Sequence, residues 1–207
     1  MERKDNYLIR RDEAKKYFLG FNQQEIIDCW NLQSDAAYIY VTFLNDTYRV
    51  ERKTGQVEWS QDDFLTVEEA GFEEVLSVFD LLCHAKVPPK ACDNWAPVNS
   101  LKGRPRTVGV NETRSGKEAD LFDRDVEKFK KVCIAMGGRE VPMGEVGFEF
   151  PVYQDLKVRL KFYGSDEEFA AQLVLLWPEN ALEYMYYETT FYVLGFLLKK
   201  IAAQMEA

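Results

Sequence analysis

The sequence predicts an α+β fold: an antiparallel or mixed sheet packed with amphipathic helices, ending in a long C-terminal helix. Three stretches carry that reading. Residues 37–60 hold β-branched and aromatic runs separated by Asn45-Asp46 and Lys53-Thr54-Gly55, which are hairpin signals. In residues 156–163, Leu156, Val158, Leu160 and Phe162 alternate with Lys157, Arg159, Lys161 and Tyr163. That period of two marks a strand with one solvated face. Residues 181–204 read as one long helix, with Asn180 placed to cap it.

The remaining elements follow in chain order. An opening helix is expected over residues 10–21, then a short one in which Ile26, Ile27 and Trp30 share a face. After the hairpins, Thr66 and Glu69 have capping-box spacing and predict a helix start, although Gly71 inside the first turns would weaken it. Phe72, Val75, Leu76, Phe79, Leu82 and Cys83 form the apolar stripe of that helix. It must stop before Pro88-Pro89, because proline lacks an amide donor and restricts the preceding residue. Residues 121–136 predict one amphipathic helix ended by Gly137-Gly138. Strands are expected over residues 147–153, 156–163 and 173–177. The 207 residues are read as a single domain, with two lobes separated by the irregular segment 86–120 as the alternative.

Composition bounds the function. Hydrophobic residues make up 46% of the chain, which supports a sizeable core and excludes a disordered polymer. The net charge of −9 argues against general nucleic-acid binding, which needs cations to displace phosphate counterions. The start of the chain carries no apolar run, and the apolar stretch 191–198 is too short to span a bilayer. No membrane association is therefore expected. The four cysteines, Cys29, Cys83, Cys92 and Cys133, form no C-x-x-C pair, and the single histidine, His84, follows Cys83. This spacing suits neither a zinc nor an iron–sulfur site, so no cofactor is expected. Cys29, Cys83 and Cys133 read as reduced core thiols, which points to a cytoplasmic location.

Two regions suggest chemistry. The long segment 86–120 contains Trp95 and the basic stretch Lys102-Gly103-Arg104-Pro105-Arg106. It is a surface loop with an anion-binding reading through Arg104 and Arg106. The turn after the 156–163 strand carries Asp166, Glu167 and Glu168, three carboxylates that suit a divalent cation. Its plainer reading is a turn or cap made by Ser165 or Asp166, with Glu168 reaching back to a backbone amide. Glu188 lies among Tyr184, Tyr186, Tyr187 and Phe191, where an apolar setting would raise its pKa and suit acid–base work. Tyr184 and Tyr187 are also candidates for a core, a pocket wall or a dimer face. No nucleotide-binding, hydrolase or zincin motif is present in the sequence.

From Cys133 onward, Gly137-Gly138, Pro151, Asp166-Glu167-Glu168-Phe169, Leu176-Trp177 and Asn180 occur in an order that resembles a family known as domain of unknown function 3786. The likeness is good over the last third, weaker over residues 75–103 and poor over the first 65. Trp177 is a further ligand-binding candidate. The likeness implies an accessory role near anaerobic one-carbon or redox metabolism, because some relatives adjoin iron–sulfur and corrinoid proteins. The reading that follows is a cytoplasmic, non-enzymatic accessory protein binding a small molecule or a protein in a cleft near the acidic turn, the last helix and the loop around Trp95. An enzyme with a carboxylate site at Asp166, Glu168 and Glu188, with Asp166, Glu167 and Glu168 as metal ligands, is one alternative. A homodimer formed through the tyrosine face is another.

Overall fold

A computed structural model gives the fold and describes residues 6–105, 113, 114 and 116–207. The chain divides into two compact units, one formed by residues 1–89 and 183–193, the other by residues 90–182 and 194–207.

The first unit opens with α1 (Asn6–Leu19) and α2 (Gln23–Trp30). Asn22 caps α2 by accepting from the Gln24 amide, and Asn31 ends it in the left-handed region at φ 49°. An antiparallel sheet follows: β1 (Tyr38–Phe43), β2 (Asp46–Glu51), β3 (Val57–Ser60) and the short β4 (Glu68–Glu69), in spatial order β1-β2-β3-β4. Leu44 and Asn45 both take positive φ between β1 and β2, as a two-residue hairpin requires, even though Leu44 has no glycine-like freedom. Ile39, Val41 and Phe43 alternate into the core, where Tyr48 and Val50 of β2 are also fully buried. α3 (Phe72–Cys83) packs on α1, with Phe18 stacked on Phe79 at 4.9 Å, and Trp30 of α2 donates to the Leu82 carbonyl.

The Thr66 helix start does not form. Asp62 accepts from both the amide and the hydroxyl of Thr66, and Glu68 and Glu69 pair with β3 as β4. The helix begins after Gly71, where the Glu74 carboxylate takes the Gly71 amide at 2.7 Å. The other Glu74 oxygen accepts from the buried Tyr48 hydroxyl.

The second unit is built on an antiparallel sheet of spatial order β5-β10-β9-β8-β7. Its strands are β5 (Trp95–Pro97), β6 (Thr113–Arg114), β7 (Arg139–Glu140), β8 (Val146–Tyr153), β9 (Leu156–Tyr163) and β10 (Gln172–Pro178), with β6 pairing β10 off the main path. Two strands therefore arise from the segment read as irregular. The expected helix over 121–136 is two: α4 (Lys117–Arg124) and α5 (Val126–Ala135). Asp125 breaks them at φ −151° and caps α5 by accepting from Lys128 N. Phe122 and Phe129 stack at 4.6 Å, and Phe129 meets Phe148 and Phe162 of the sheet. Gly137 at φ 83° ends α5, and the Gly138 amide returns to the Cys133 carbonyl.

The last helix is shorter at its start than expected. Residues 181–183 form a 3-10 turn, and α6 (Tyr187–Glu206) begins four residues later. Its residues up to Val193 count with the first unit and those from Leu194 with the second. Among the described residues, no helix is long and apolar enough to cross a membrane.

Candidate functional site

In the first unit, the connection from α1 to α2 meets the end of α3 around a cleft of about 250 Å³. Phe21, Ile26, Cys29, Leu82 and Cys83 supply apolar wall, while Asn22, Glu25 and Lys86 supply polar groups. The polar side of the cleft is partly fixed. The Asn22 side chain caps α2 and donates to the Glu25 carboxylate at 2.8 Å. Cys29 Sγ lies 3.6 Å from the Lys86 carbonyl, which holds the thiol against the chain leaving α3. Burial raises the Cys29 thiol and pushes Cys83 up to about 12, so neither is a ready thiolate at neutral pH.

One α3 turn away, Asp80 is buried, and desolvation raises its pKa despite opposing hydrogen bonds from Thr189 and Tyr186. Its Oδ2 accepts from the Tyr186 amide at 2.7 Å, immediately before α6. Asp80 thus ties down the entry to α6 from another helix: it accepts from the Tyr186 amide just before the helix and from the Thr189 side chain in its first turn. His84 Nδ1 stands 3.9 Å from Asp80 Oδ1, and its ring meets Tyr186 edge-on at 4.5 Å. Glu188 is exposed in the first turn of α6 and acts on Asp80 only through its charge, raising the pKa further.

In the second unit, Glu149 is 4% exposed on β8 and binds three cations. Arg139 and Lys157 reach Oε1 at 2.8 and 3.1 Å, and Arg159 reaches Oε2 at 2.9 Å. Register explains the convergence, since Glu149 is paired with Arg139 on β7 and with Arg159 on β9. Burial alone would raise the Glu149 carboxyl, but its hydrogen bonds with Arg139, Lys157 and Arg159 hold it at about 2. Arg159 also lies over the Trp95 ring, 3.8 Å from its centroid.

The three carboxylates after β9 are all exposed. Asp166 makes the turn itself: Oδ1 accepts from the Glu168 and Phe169 amides at 2.8 and 2.7 Å, which lowers its pKa. Ser165 does not cap the turn, because its hydroxyl and amide both bond to Asp123. Among the described residues, no three His, Cys, Asp or Glu side chains are grouped to hold a metal ion.

The ligand-binding candidates fall in both units. Trp95 joins the Arg159 cluster. Arg104 is exposed, and among the described residues its guanidinium meets only the neighbouring Pro105 carbonyl. Arg106 lies outside the described residues. Trp177 is fully buried, and no described residue accepts from its indole N–H. Tyr184 is fully buried against Trp30, with its hydroxyl on the Pro89 carbonyl, and Tyr187 is buried against Phe191. Asn180 caps no helix. Its amide side chain instead clamps the segment after Pro89, donating to Lys90 O and accepting from Cys92 N.

A family model described as domain of unknown function (DUF3786) matches residues 23–200. The chain belongs to the DUF3786 family. No curated protein and no solved structure matches it. The DUF3786 match takes in parts of both units, including Asp80, the Glu149 cluster and the Asp166 turn. Phe21 and Asn22, which line the cleft, precede it.

Asp80 and Glu149 have no place among the residues that sequence reasoning singles out. Glu149 sits between Phe148 and Phe150, so alternation alone identifies an outward polar position. Its three cations become visible only once strand register is known. Asp80 gives less warning still, because the backbone amide it accepts from is 106 residues away.

Proposed function

We propose that this DUF3786 chain is a binding protein rather than a catalyst, and that the cleft between the α1–α2 connection and the end of α3 seats a small, largely apolar molecule with one polar end. The cleft itself carries this reading. Binding sites combine an apolar lining with a few placed polar groups, and here Phe21, Ile26 and Leu82 are joined by Asn22, Glu25 and Lys86. The chemistry around it supports binding over reaction. Both cleft thiols are held away from the thiolate form, and the nearby buried carboxylate, Asp80, is engaged at the start of α6. The unpaired state of all four cysteines accords with the reducing cytoplasm we propose for it. An accessory role in anaerobic one-carbon or redox metabolism belongs to the same proposal.

A thermal-shift series with benzyl alcohol and hexanoate, run on the wild type and on Ala85→Trp, tests the seat. Ala85 lines the cleft, so the larger side chain fills it. The expected result is a saturable rise in Tm for the wild type that Ala85→Trp abolishes while keeping its own cooperative transition. Equal shifts in both proteins would place the binding elsewhere.

A further inference from the structure

Three cations converge on one carboxylate in the second unit. Arg139, Lys157 and Arg159 all bond Glu149, and among the described residues none of them has a second carboxylate within ion-pairing distance. Two positive charges are left uncompensated on one small patch of an otherwise acidic chain. Lys161 lies two residues beyond Arg159 on the same face of β9, with its ammonium over the Tyr163 ring rather than on an anion.

The cations differ in what they can still do. Arg159 is the fixed member: its guanidinium is held by Glu149 and stacked on Trp95, and its side chain is 24% exposed. Arg139 and Lys157 have side chains 68% and 45% exposed, and each gives the structure a single bond to Glu149. An arginine carries five donors and a lysine three, so most of theirs face water. Because all three heads gather on the two oxygens of one carboxylate, the positive region is compact. It suits a small dianion rather than an extended polyanion such as a nucleic acid, whose charges are spread along a backbone.

We propose that the Arg139–Lys157–Arg159 cluster on the sheet of the second unit is a binding site for a phosphate dianion, free or as a monoester. Glu149 gathers the cations, Trp95 holds Arg159 in place, and Arg139 and Lys157 donate to the phosphoryl oxygens. A phosphate monoester carries close to two negative charges near neutral pH, which matches the two uncompensated positive charges. Guanidinium forks and an ammonium are the side chains that recognise such oxygens. This site is independent of the apolar cleft.

The test is titration of the full chain with inorganic phosphate and with phenyl phosphate, followed by calorimetry and 31P line width at constant ionic strength. The wild type should bind saturably, and more tightly at pH 7.5 than at pH 5.5, because the second phosphate proton leaves near pH 6. Tighter binding of phenyl phosphate than of inorganic phosphate would identify the monoester as the ligand, and equal binding would identify the free anion. Lys157→Gln and Arg139→Gln should each weaken binding about tenfold, the loss of one charge-assisted hydrogen bond. Arg139 is the most exposed of the three cations, so Arg139→Gln should keep a single cooperative melting transition, at a lower Tm than the wild type, and carries the test if Lys157→Gln does not fold. No saturable binding by the wild type, or unchanged affinity in Arg139→Gln, would overturn the proposal.

Discussion

At Glu149, three hydrogen-bonded cations outweigh the desolvation of a carboxylate that is 4% exposed. Its pKa falls from an ordinary 4.5 to about 2. A depressed carboxyl stabilises the fold above its ordinary value, and that contribution is lost as pH falls through its folded value. Replacing it with glutamine leaves the cations gathered without their anion. Glu149→Gln should therefore cost roughly 3 kcal/mol near neutral pH. Urea unfolding of both proteins over a pH series checks this: the gap should stay constant down to about pH 4.5 and close towards pH 2. A gap that does not change with pH would mean the substitution acts through packing alone.

Among the elements, the start of α6 shows what local pattern can and cannot reveal. The helix itself is legible in its apolar residues, but its first turn is set by Asp80 from α3. The raised pKa of Asp80 works opposite to that of Glu149. Its contribution is complete below the ordinary aspartate range and lost as pH rises through the higher folded value. Asp80→Asn keeps an acceptor for the Tyr186 amide without the buried charge, so its stability relative to the wild type should improve as pH rises from 4 to 7. Asp80→Leu removes that acceptor and should cost about 1–2 kcal/mol. Thermal melts of the three proteins across that range would show both effects. Elsewhere a competing acceptor, near or distant in sequence, takes the group that the spacing points to. Ser165 and Glu168 have capping-box spacing, but Asp123 takes Ser165 and Asp166 makes the turn. Thr66 and Glu69 have it too, but Asp62 takes Thr66 and β3 takes the strand that follows. In the alternation of β9 and the glycine end of α5 no competing acceptor intervenes, and sequence and structure agree.

For the molecule as a whole, the α+β class and the family were legible because periodicity and motif order survive without long-range knowledge, whereas the division into two antiparallel sheets was not. The groups around Asp80 and Glu149 were not, since each joins segments that only the folded chain brings together. The cleft is of the same kind: Phe21, Cys29 and Leu82 are scattered in sequence and share a wall only after α1, α2 and α3 have packed. Cys29 offers a direct reporter of the proposed occupation of the cleft by a small molecule. Cys29 lines the cleft, Cys92 is a half-buried thiol of the second unit, and Cys83 and Cys133 are buried. Alkylation of the native protein, followed residue by residue by mass spectrometry with and without saturating benzyl alcohol, measures it. Cys83 and Cys133 should stay unmodified, Cys29 should react several-fold more slowly with the compound present, and the Cys92 rate should be unchanged. A Cys29 rate that benzyl alcohol and hexanoate both leave unaltered, or one that falls in step with Cys92, would contradict occupation of the cleft.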